Sequence, residues 1–251
     1  MNISIIVTHH LSQNNQYLQA CLESIIDQKI DGEIETILIS DAHELPGLPS
    51  VPNLTVVHDP KLNNIIPKIK HGVSIAKHEY VLLLSDDVIL MTRCLEAMAS
   101  AQKGMQIPLI QNPRCNGDTP SKYIAPIIMF DENSQPVAVP QTLDIVWLKG
   151  KRERNEPLEI MLFPFDWVAT YCTLMPKQLL LDIPPDESLD CKNWDVDFCW
   201  RAGKKGIPSM VNTAARAIHF GSKTLSVTKT REMEKAADEV LYKKVRGGVY
   251  A

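Results

Sequence analysis

The sequence predicts one α/β domain in which helices flank a mostly parallel central sheet. Short apolar runs typical of buried strands alternate along the chain with stretches whose apolar residues recur at helical spacing. The chain has 251 residues, of which 45% are hydrophobic and 22% charged, so it can bury a single large core. In such sheets ligands bind beyond the carboxyl ends of the strands. The polar residues that follow the strands are therefore the first candidates for a functional site.

Four strands and two helices are predicted in the first part of the chain. The strands are, in chain order, "ISIIVT", "IETILIS", "LTVVH" and "VLLL". Apolar residues at positions i, i+3, i+4, i+7 and i+8 define the first helix: Leu18, Cys21, Leu22, Ile25 and Ile26. The second helix has Asn63 or Asn64 as a candidate N-cap, and its apolar residues are Ile65, Ile69, Val73 and Ala76.

The middle of the chain is less regular. Thr92 is a candidate cap for a helix that contains Leu95, Met98 and Ala99. "YIAPIIMF" and "DIVWL" have the composition of short strands. The charged run "KGKRERNEPLE" after them predicts a solvated loop, with a flap near a functional site as the alternative.

Two helices and one strand are predicted towards the C-terminus. "NWDVDFCWRAGKKG" begins with carboxylates and ends with lysines, which suits the dipole of a helix. "ARAIHFGS" predicts a last strand with a histidine near its end. "TKTREMEKAADEVLYKKV" predicts an amphipathic helix, with four residues facing inward: Met233, Ala237, Val240 and Leu241.

Composition excludes several classes of protein. The net charge of −4 provides no basic field for nucleic acid, so no stable nucleic-acid binding is expected. The six cysteines form no C-x-x-C pair, which favours reduced, mostly buried thiols over disulfides or a zinc site. No apolar run approaches the ~20 residues of a membrane helix, and the apolar start lacks the cationic flank of a signal peptide. We therefore expect no transmembrane segment and a cytoplasmic location.

Polar side chains follow three of the predicted strands. Thr8, His9 and His10 follow the first strand, Asp41 the second, and Ser85, Asp86 and Asp87 the fourth. Because the carboxyl ends of parallel strands share one edge of a sheet, these groups are expected to converge. Alternation along a strand would put Ser85 and Asp87 on one side, with Asp86 pointing away unless the chain turns. An ordinary surface turn is the alternative.

The motifs, taken together and in order, resemble those of family 2 glycosyltransferases over most of residues 1–222. They are "SIIVTHH", "YLQACLESIIDQ", "ILISD", "KIKHGVSIAKHEYVLLLSDDVIL", "FDWVATYCTLMPK", "WDVDFCWRAGKKGI" and "AIHFGS". The resemblance implies a GT-A (Rossmann-like) fold and an inverting transfer of sugar from a UDP-, GDP- or dTDP-sugar to a hydroxyl acceptor. A saccharide is the default acceptor; a protein, a lipid or a modified nucleobase stays open.

The resemblance also implies a division of the chain. Residues 1–222 would form the GT-A domain, with a nucleotide-sugar-binding half over residues 1–103 and an acceptor-binding half over residues 104–222. Residues 223–251 would be a helical extension packed on the same domain.

A divalent cation, Mn²⁺ or Mg²⁺, is implied as the cofactor. The leaving diphosphate gains negative charge during transfer, and such a cation neutralises it. Asp87 is similar in position to the metal-binding aspartate of the family's D-x-D motif. His219 is similar to a histidine that completes the metal site or lies on the phosphates in several members, although a packed or surface histidine is the alternative.

The same resemblance implies six donor-binding residues: Thr8, His9, Asp41, Lys70, Ser85 and Asp86. Thr8 would line the base pocket, Asp41 would read the base, and His9 would stack on it. A strand-end turn is the alternative for His9, and a solvated helix face is the alternative for Lys70. Ser85 stands where a fully acidic version of the motif has its first aspartate, so the contact of that aspartate is weakened or passes to Asp86.

Asp195 is similar in position to the aspartate proposed as the family's general base. It would accept the proton of the acceptor hydroxyl during the displacement. Trp194 replaces the preceding Glu and would offer a flat apolar platform for an acceptor sugar. Asp166, Trp167 and Asp197 are implied to lie near the acceptor. The alternative for Asp195 and Asp197 is that they only favour a helix N-terminus.

Two functions are alternatives to sugar transfer. A nucleotidyltransferase would need a Gly-rich, basic phosphate loop after the first strand, and "THHLSQNNQ" does not have one. A non-catalytic GT-A-like protein that binds a nucleotide or a partner stays open, because Ser85 and Trp194 each replace an acidic residue of the family pattern.

Overall fold

The protein is described by a computed structural model that covers eight parts of the chain. These parts are residues 1–10, 15–111, 124–130, 136–142, 162–165, 168–189, 193–220 and 231–247. The sequence predictions for "DIVWL" and for the charged run after it lie outside the described residues.

Eleven strands and six α-helices are present in the described parts. The strands are β1 (Ile3–His9), β2 (Ile34–Ser40), β3 (Leu54–His58), β4 (Tyr80–Ser85), β5 (Val88–Leu90), β6 (Met105–Gln111), β7 (Ile124–Phe130), β8 (Pro136–Thr142), β9 (Leu162–Phe165), β10 (Cys172–Pro176) and β11 (Ser209–His219). The helices are α1 (Asn15–Ile26), α2 (Ile65–Ile75), α3 (Cys94–Ser100), α4 (Lys177–Asp182), α5 (Trp194–Lys204) and α6 (Arg231–Arg246), with a 3₁₀ helix (Glu187–Leu189) between α4 and α5.

Nine of the strands form one mixed sheet in the order β3-β2-β1-β4-β10-β6-β11-β5, with β9 on β11. β1 to β4 are parallel to one another. β10 pairs antiparallel with both β4 and β6, so β6 runs in the same direction as β4, and β11 is parallel to β6. β7 and β8 pair separately as an antiparallel ladder. The predicted single α/β domain with a mostly parallel sheet is confirmed.

Successive residues of the central strands point to opposite faces of the sheet and build two hydrophobic clusters. In β1, Ile5 and Val7 belong to the cluster that contains the buried residues of α1, whereas Ile6 belongs to the cluster that contains those of α2. Full burial of such side chains stabilises the fold by about 1.5–3 kcal/mol each. The two-sided burial explains the continuous apolar runs of the sequence.

Gly72 lets α2 approach β1 closely. A Cβ atom at this position would lie 2.5 Å from Cγ2 of Ile6 and 3.0 Å from Cδ1 of Ile39. Any larger residue would have to push the helix away from the strands that carry Thr8, His9 and Asp41 at their ends.

Several element boundaries differ from the sequence prediction. α3 begins at Cys94, and its N-cap is Arg93 with a left-handed backbone (φ 62°), so the prediction of Thr92 as the cap is wrong. Asn64 is the N-cap of α2, although its side chain makes no capping hydrogen bond. β5, β6, β9, β10 and α4 were not predicted.

The last helix buries Ala237 and Leu241, which are 3% and 1% exposed. Met233 is 44% exposed, so its predicted inward position is wrong. Two polar contacts attach this helix to the start of α5: Asn193 donates to Asp238 at 2.7 Å, and Lys244 to Asp197 at 2.7 Å.

The structure also bears on the cysteines and on membrane-spanning segments. Four cysteines are free and buried, as predicted: Cys21, Cys94, Cys172 and Cys199. Among the described helices, none has the length and hydrophobicity needed to cross a membrane.

Candidate functional site

The carboxyl ends of β1, β2 and β4 lie side by side. Thr8 is in register with Ser85, and His9 is in register with Ser40, the residue before Asp41. The convergence expected from the sequence is thus present: the residues that follow three parallel strands meet at one edge of the sheet.

The carboxylate of Asp86 forms a buried pair with His9. Its Oδ2 lies 2.6 Å from Nδ1 of His9, and the two residues are only 2% and 1% exposed. Burial raises the pKa of Asp86, while the hydrogen bond to His9 opposes that shift. The other ring nitrogen, Nε2, is buried without a hydrogen-bond partner in the described part of the chain.

This pair changes the interpretation of both residues. The imidazole of His9 has almost no free surface, so the predicted stacking of a base on it would require the ring to move. Asp86 joins the turn after β4 to the end of β1.

Asp87 meets His219 because the turn after β4 leads directly into β5. β5 pairs antiparallel with β11, with Val88 opposite His219, and the Phe220 N–H donates to the Asp87 carbonyl at 3.0 Å. Nε2 of His219 consequently lies 3.3 Å from Oδ1 of Asp87, with the side chains 16% and 7% exposed. The two residues are far apart in the chain, and the short strand β5 brings them together.

The spacing of Asp87 and His219 suits two neighbouring ligands of one divalent cation. Ligand atoms about 2.1 Å from an octahedral ion are about 3 Å apart when they occupy adjacent positions. No group of three or more His, Cys, Asp or Glu side chains suited to a metal occurs in the residues that the structure describes. A cation held by this pair would therefore take its other ligands from substrate and water, as Mg²⁺ sites at phosphates do.

Asp41 lies in a second buried cluster with Lys68 and His10. Nζ of Lys68 is 3.1 Å from Oδ1 of Asp41 and donates to the carbonyl of His9 at 2.6 Å. Nε2 of His10 lies 3.3 Å from Oδ2 of Asp41. Burial lowers the pKa of His10, and the charge of Asp41 acts in the opposite direction. The ammonium group of Lys68 therefore lies at the ends of β1 and β2, between the His9 carbonyl and the Asp41 carboxylate.

Lys68 was not among the donor-binding residues predicted from the sequence, whereas Lys70 was. Lys68 is 3% exposed, on the helix face that also buries Ile69 and Gly72. The helical spacing of the apolar residues was a usable signal, because it places Lys68 on the inner face. The ammonium of Lys70 forms an ion pair with Glu187 of the 3₁₀ helix, and its side chain is 41% exposed.

Tyr171 is a second residue that the sequence analysis missed. Its ring stacks on the imidazole of His219, with centroids 4.0 Å apart and planes at 24°. Its carbonyl accepts a hydrogen bond of 2.8 Å from the N–H of Ser85. Burial raises the pKa of Tyr171, and the nearby charges of Asp195 and Asp87 add to that shift, so the phenol stays neutral.

Asp195 occupies the first turn of α5, as predicted. Its side chain is half-buried, and its Oδ1 accepts a hydrogen bond of 3.0 Å from the N–H of Val196. The charges of Asp195 and Asp87 both act on Tyr171 and help to raise its pKa.

The residues predicted to bind the acceptor have different surroundings. Trp194 is 6% exposed and packs in the core, with its ring centroid 6.3 Å from that of Phe198, so it presents little surface to a sugar. Asp197 is fully buried and forms ion pairs with Arg201 at 2.6 Å and Lys244 at 2.7 Å. Asp166 and Trp167 lie outside the described residues.

One family and several solved structures match the chain. The family model described as Glycosyl transferase family 2 matches residues 4–145. No curated protein sequence matches. The structure of GalNAc-T7 with UDP, GalNAc and Mn²⁺ is similar with a TM-score of 0.65 at 13% identity, over 98% of this chain and 48% of that chain. S. aureus TarS 1–349 in complex with UDP-GlcNAc is similar with a TM-score of 0.57 at 15% identity, over 94% of this chain and 64% of that chain.

A further structure of S. aureus TarS is similar with a TM-score of 0.55 at 15% identity. The chain spans between 43% and 64% of the length of these three chains, and at such identities the likeness shows a shared fold.

Proposed function

The chain belongs to glycosyl transferase family 2, and on that premise we propose that it transfers a sugar from a nucleotide diphosphate donor to a hydroxyl acceptor, with inversion at the anomeric carbon. One observation supports this proposal most strongly. Asp87 and His219 form a metal-suited pair, Tyr171 stacks on His219, and the charge of Asp195 acts on the same tyrosine. Leaving-group and base chemistry would thus share one site at the carboxyl edge of the sheet.

The proposed donor is a uridine diphosphate sugar, held at the ends of β1, β2 and β4. UDP in the GalNAc-T7 structure and UDP-GlcNAc in the TarS structure support the choice of base. Thr8, Ser85 and Asp41 remain the proposed donor contacts. Lys68 joins them as the positive charge paired with the buried carboxylate of Asp41.

Asp87 and His219 would hold the divalent cation, Mn²⁺ or Mg²⁺. Such an ion neutralises charge on a leaving diphosphate without transferring a proton. The imidazole would contribute Nε2 and the carboxylate would contribute Oδ1, two atoms that lie 3.3 Å apart.

Asp195 is proposed to act as the general base. It would take the proton from the acceptor hydroxyl while the hydroxyl oxygen bonds to the anomeric carbon. The bond from that carbon to the diphosphate oxygen breaks, and its electron pair leaves with the nucleotide. Attack from the side opposite the leaving group inverts the anomeric centre; that outcome rests on the family resemblance.

Nucleotide release tests the proposal. UDP-, GDP- and dTDP-sugars are incubated with Mn²⁺ and candidate saccharide acceptors, and the free nucleotide is measured. Asp195→Asn should bind UDP within about twofold of wild type but release nucleotide at least ~100-fold more slowly, the usual contribution of a general base. An Asp195→Asn variant that works at the wild-type rate would refute the role of Asp195.

A non-catalytic nucleotide-binding protein is the second candidate. It is favoured by Ser85 and Trp194, which replace acidic residues of the family pattern, and by the engagement of Asp86 with His9. This candidate predicts that UDP and Mn²⁺ together raise the melting temperature while no nucleotide sugar is consumed. Consumption of any of the three sugar nucleotides by wild type, lost in Asp195→Asn, would exclude it.

The division of the chain into functional parts also belongs to the proposal. The donor half is assigned to residues 1–103, the acceptor half to residues 104–222 and the helical extension to residues 223–251. The acceptor contacts of Asp166 and Trp167 belong to this proposal, as does a cytoplasmic location, which the free, buried cysteines favour.

A further inference from the structure

We propose that Tyr171 is a positioning residue for metal binding: its ring holds the imidazole of His219 in the orientation that presents Nε2 beside Asp87. The inference rests on the proposed function only in assuming that Asp87 and His219 bind a divalent cation. It assigns a role to a side chain that the sequence motifs did not single out.

The ring contact is the first observation. Centroids 4.0 Å apart with planes only 24° from parallel mean that the phenol covers one face of the imidazole. Aromatic pairs of this kind contribute about 0.5–1.5 kcal/mol beyond their buried area. An imidazole turned away from this plane would lose that contact, so Tyr171 favours one orientation of His219.

The backbone of Tyr171 is itself firmly placed. Its carbonyl accepts the N–H of Ser85, and the next residue, Cys172, pairs with Leu84 at the start of the β10–β4 ladder. Tyr171 is therefore attached to the end of β4, while His219 ends β11. The stacked pair thus joins two non-adjacent strands at the edge where Asp87 lies.

A second aromatic contact holds the residue after His219. Phe220 packs against Tyr17 of α1, with centroids 5.1 Å apart and planes at 42°. This contact supports the same end of β11 through the ring of Phe220. Tyr17 consequently provides a matched control, because its removal loosens the strand end and leaves the stack on His219 in place.

Orientation matters because a metal ligand has to direct its lone pair at the ion. Residues that orient ligating histidines from outside the coordination sphere typically change metal affinity by 10–100-fold when they are mutated. Such residues usually accept a hydrogen bond from the ring nitrogen that does not bind the metal. Tyr171 instead contacts the face of the His219 ring. We expect an effect at the lower end of this range, since stacking is less directional than a hydrogen bond.

The test measures Mn²⁺ affinity by electron paramagnetic resonance of the free ion, with UDP present as the nucleotide. Tyr171→Leu should weaken Mn²⁺ binding about tenfold. Tyr171→Phe keeps the ring and should stay within about twofold of wild type, while Tyr17→Leu should lower the melting temperature without changing Mn²⁺ affinity. Tyr171→Met, which fills a similar volume without a ring, should behave like the leucine variant and replaces it if that variant does not fold.

Resonances of the histidine rings give a readout that needs no metal. In the protein without Mn²⁺, the ¹H–¹³C signals of the His219 ring should shift in Tyr171→Leu or Tyr171→Met and change much less in Tyr171→Phe. Equal Mn²⁺ affinity of wild type and the ringless variants would overturn the inference and leave the proposed function intact. A wild-type protein that binds no Mn²⁺ with UDP would instead refute the metal site, and the inference with it.

Discussion

Asp86 and Asp87 are neighbours in the chain, but their carboxylates have different surroundings. Asp86 is hydrogen-bonded to His9 inside the fold, whereas Asp87 faces His219 at a site with some access to solvent. The turn after β4 separates them, because it directs one side chain to β1 and leaves the other beside β11. At the scale of single residues, one carboxylate thus belongs to a buried pair and the other to the proposed metal site.

Substitution of Asp86 should therefore mainly lower stability, whereas substitution of Asp87 should mainly remove the effect of Mn²⁺. Asp86→Ala leaves the buried Nδ1–H of His9 without an acceptor, and we expect unfolding free energy to fall by about 1–3 kcal/mol in urea titrations. Asp87→Ala removes only a 3.3 Å contact to the partly exposed His219, so it should cost less stability than Asp86→Ala, and it should abolish the Mn²⁺-dependent rise in melting temperature with UDP. Equal losses of stability in both variants would contradict this division.

At the scale of elements, the close contact of α2 with β1 sets the position of Lys68. Gly72 permits that contact, and Lys68 lies one turn earlier on the same helix, with its ammonium group at the ends of β1 and β2. A helix displaced from the sheet would carry Lys68 away from Asp41. The space that Gly72 leaves for β1 therefore affects the pairing of Lys68 with Asp41 in the proposed donor site.

Gly72→Ala tests the helix contact. Alanine favours a helix over glycine by about 1 kcal/mol, but the added methyl would lie 2.5 Å from Ile6, and overpacking costs about 1–3 kcal/mol. We expect a net loss of stability and weaker UDP binding. Gly203→Ala in α5 is the matched control, since a Cβ there has no atom within 4 Å, and it should stabilise the protein. A stabilised Gly72→Ala variant would show that α2 shifts at little cost.

At the scale of the whole molecule, ion pairs attach the C-terminal helix to the helix that carries Asp195. Lys244 bridges the buried carboxylate of Asp197 and the more exposed carboxylate of Asp186, and Arg201 contacts Asp197 as well. Removing one partner leaves a buried charge only partly compensated. The end of the chain thus contributes to the placement of the proposed base.

Lys244→Met tests this attachment. Because Arg201 still compensates Asp197, we expect a loss of about 1–3 kcal/mol, less than the usual cost of breaking a buried pair. Lys244→Arg should retain most of the stability. Lys243→Met, at the exposed neighbouring position, should be close to neutral. Equal effects of Lys243→Met and Lys244→Met in urea unfolding would contradict the role of the ion pairs.

The acid dependence of stability provides a separate measurement. Burial alone would raise the pKa of Asp186, but hydrogen bonds from Lys244 and Ser188 lower it to about 2. A carboxyl group with a lowered folded pKa stabilises the fold above its unfolded pKa of about 3.9, and that contribution is lost as the pH falls towards 2. Stability should therefore fall less between about pH 4 and pH 2 in Lys244→Met than in wild type.

The fold and half of the site follow from patterns that are local in the chain. Apolar runs with helical or strand spacing predict the first four strands and the helices between them, and the carboxylates at the strand ends predict the edge where a ligand binds. The confirmed family resemblance adds Asp87, Asp195 and His219 as candidates. None of these inferences needs the distance between residues remote in sequence.

Only the tertiary structure decided how the polar side chains divide among partners. The pairing of β5 with β11 brings His219 to Asp87, and the inward face of α2 selects Lys68 over Lys70. Burial of His9, Trp194 and Asp197 depends on elements far away in the chain, as does the stacking of Tyr171 on His219. The sequence by itself determined which groups stand at the strand ends, since periodicity is local. Their contacts depend on how the strands and helices pack, which no local pattern records.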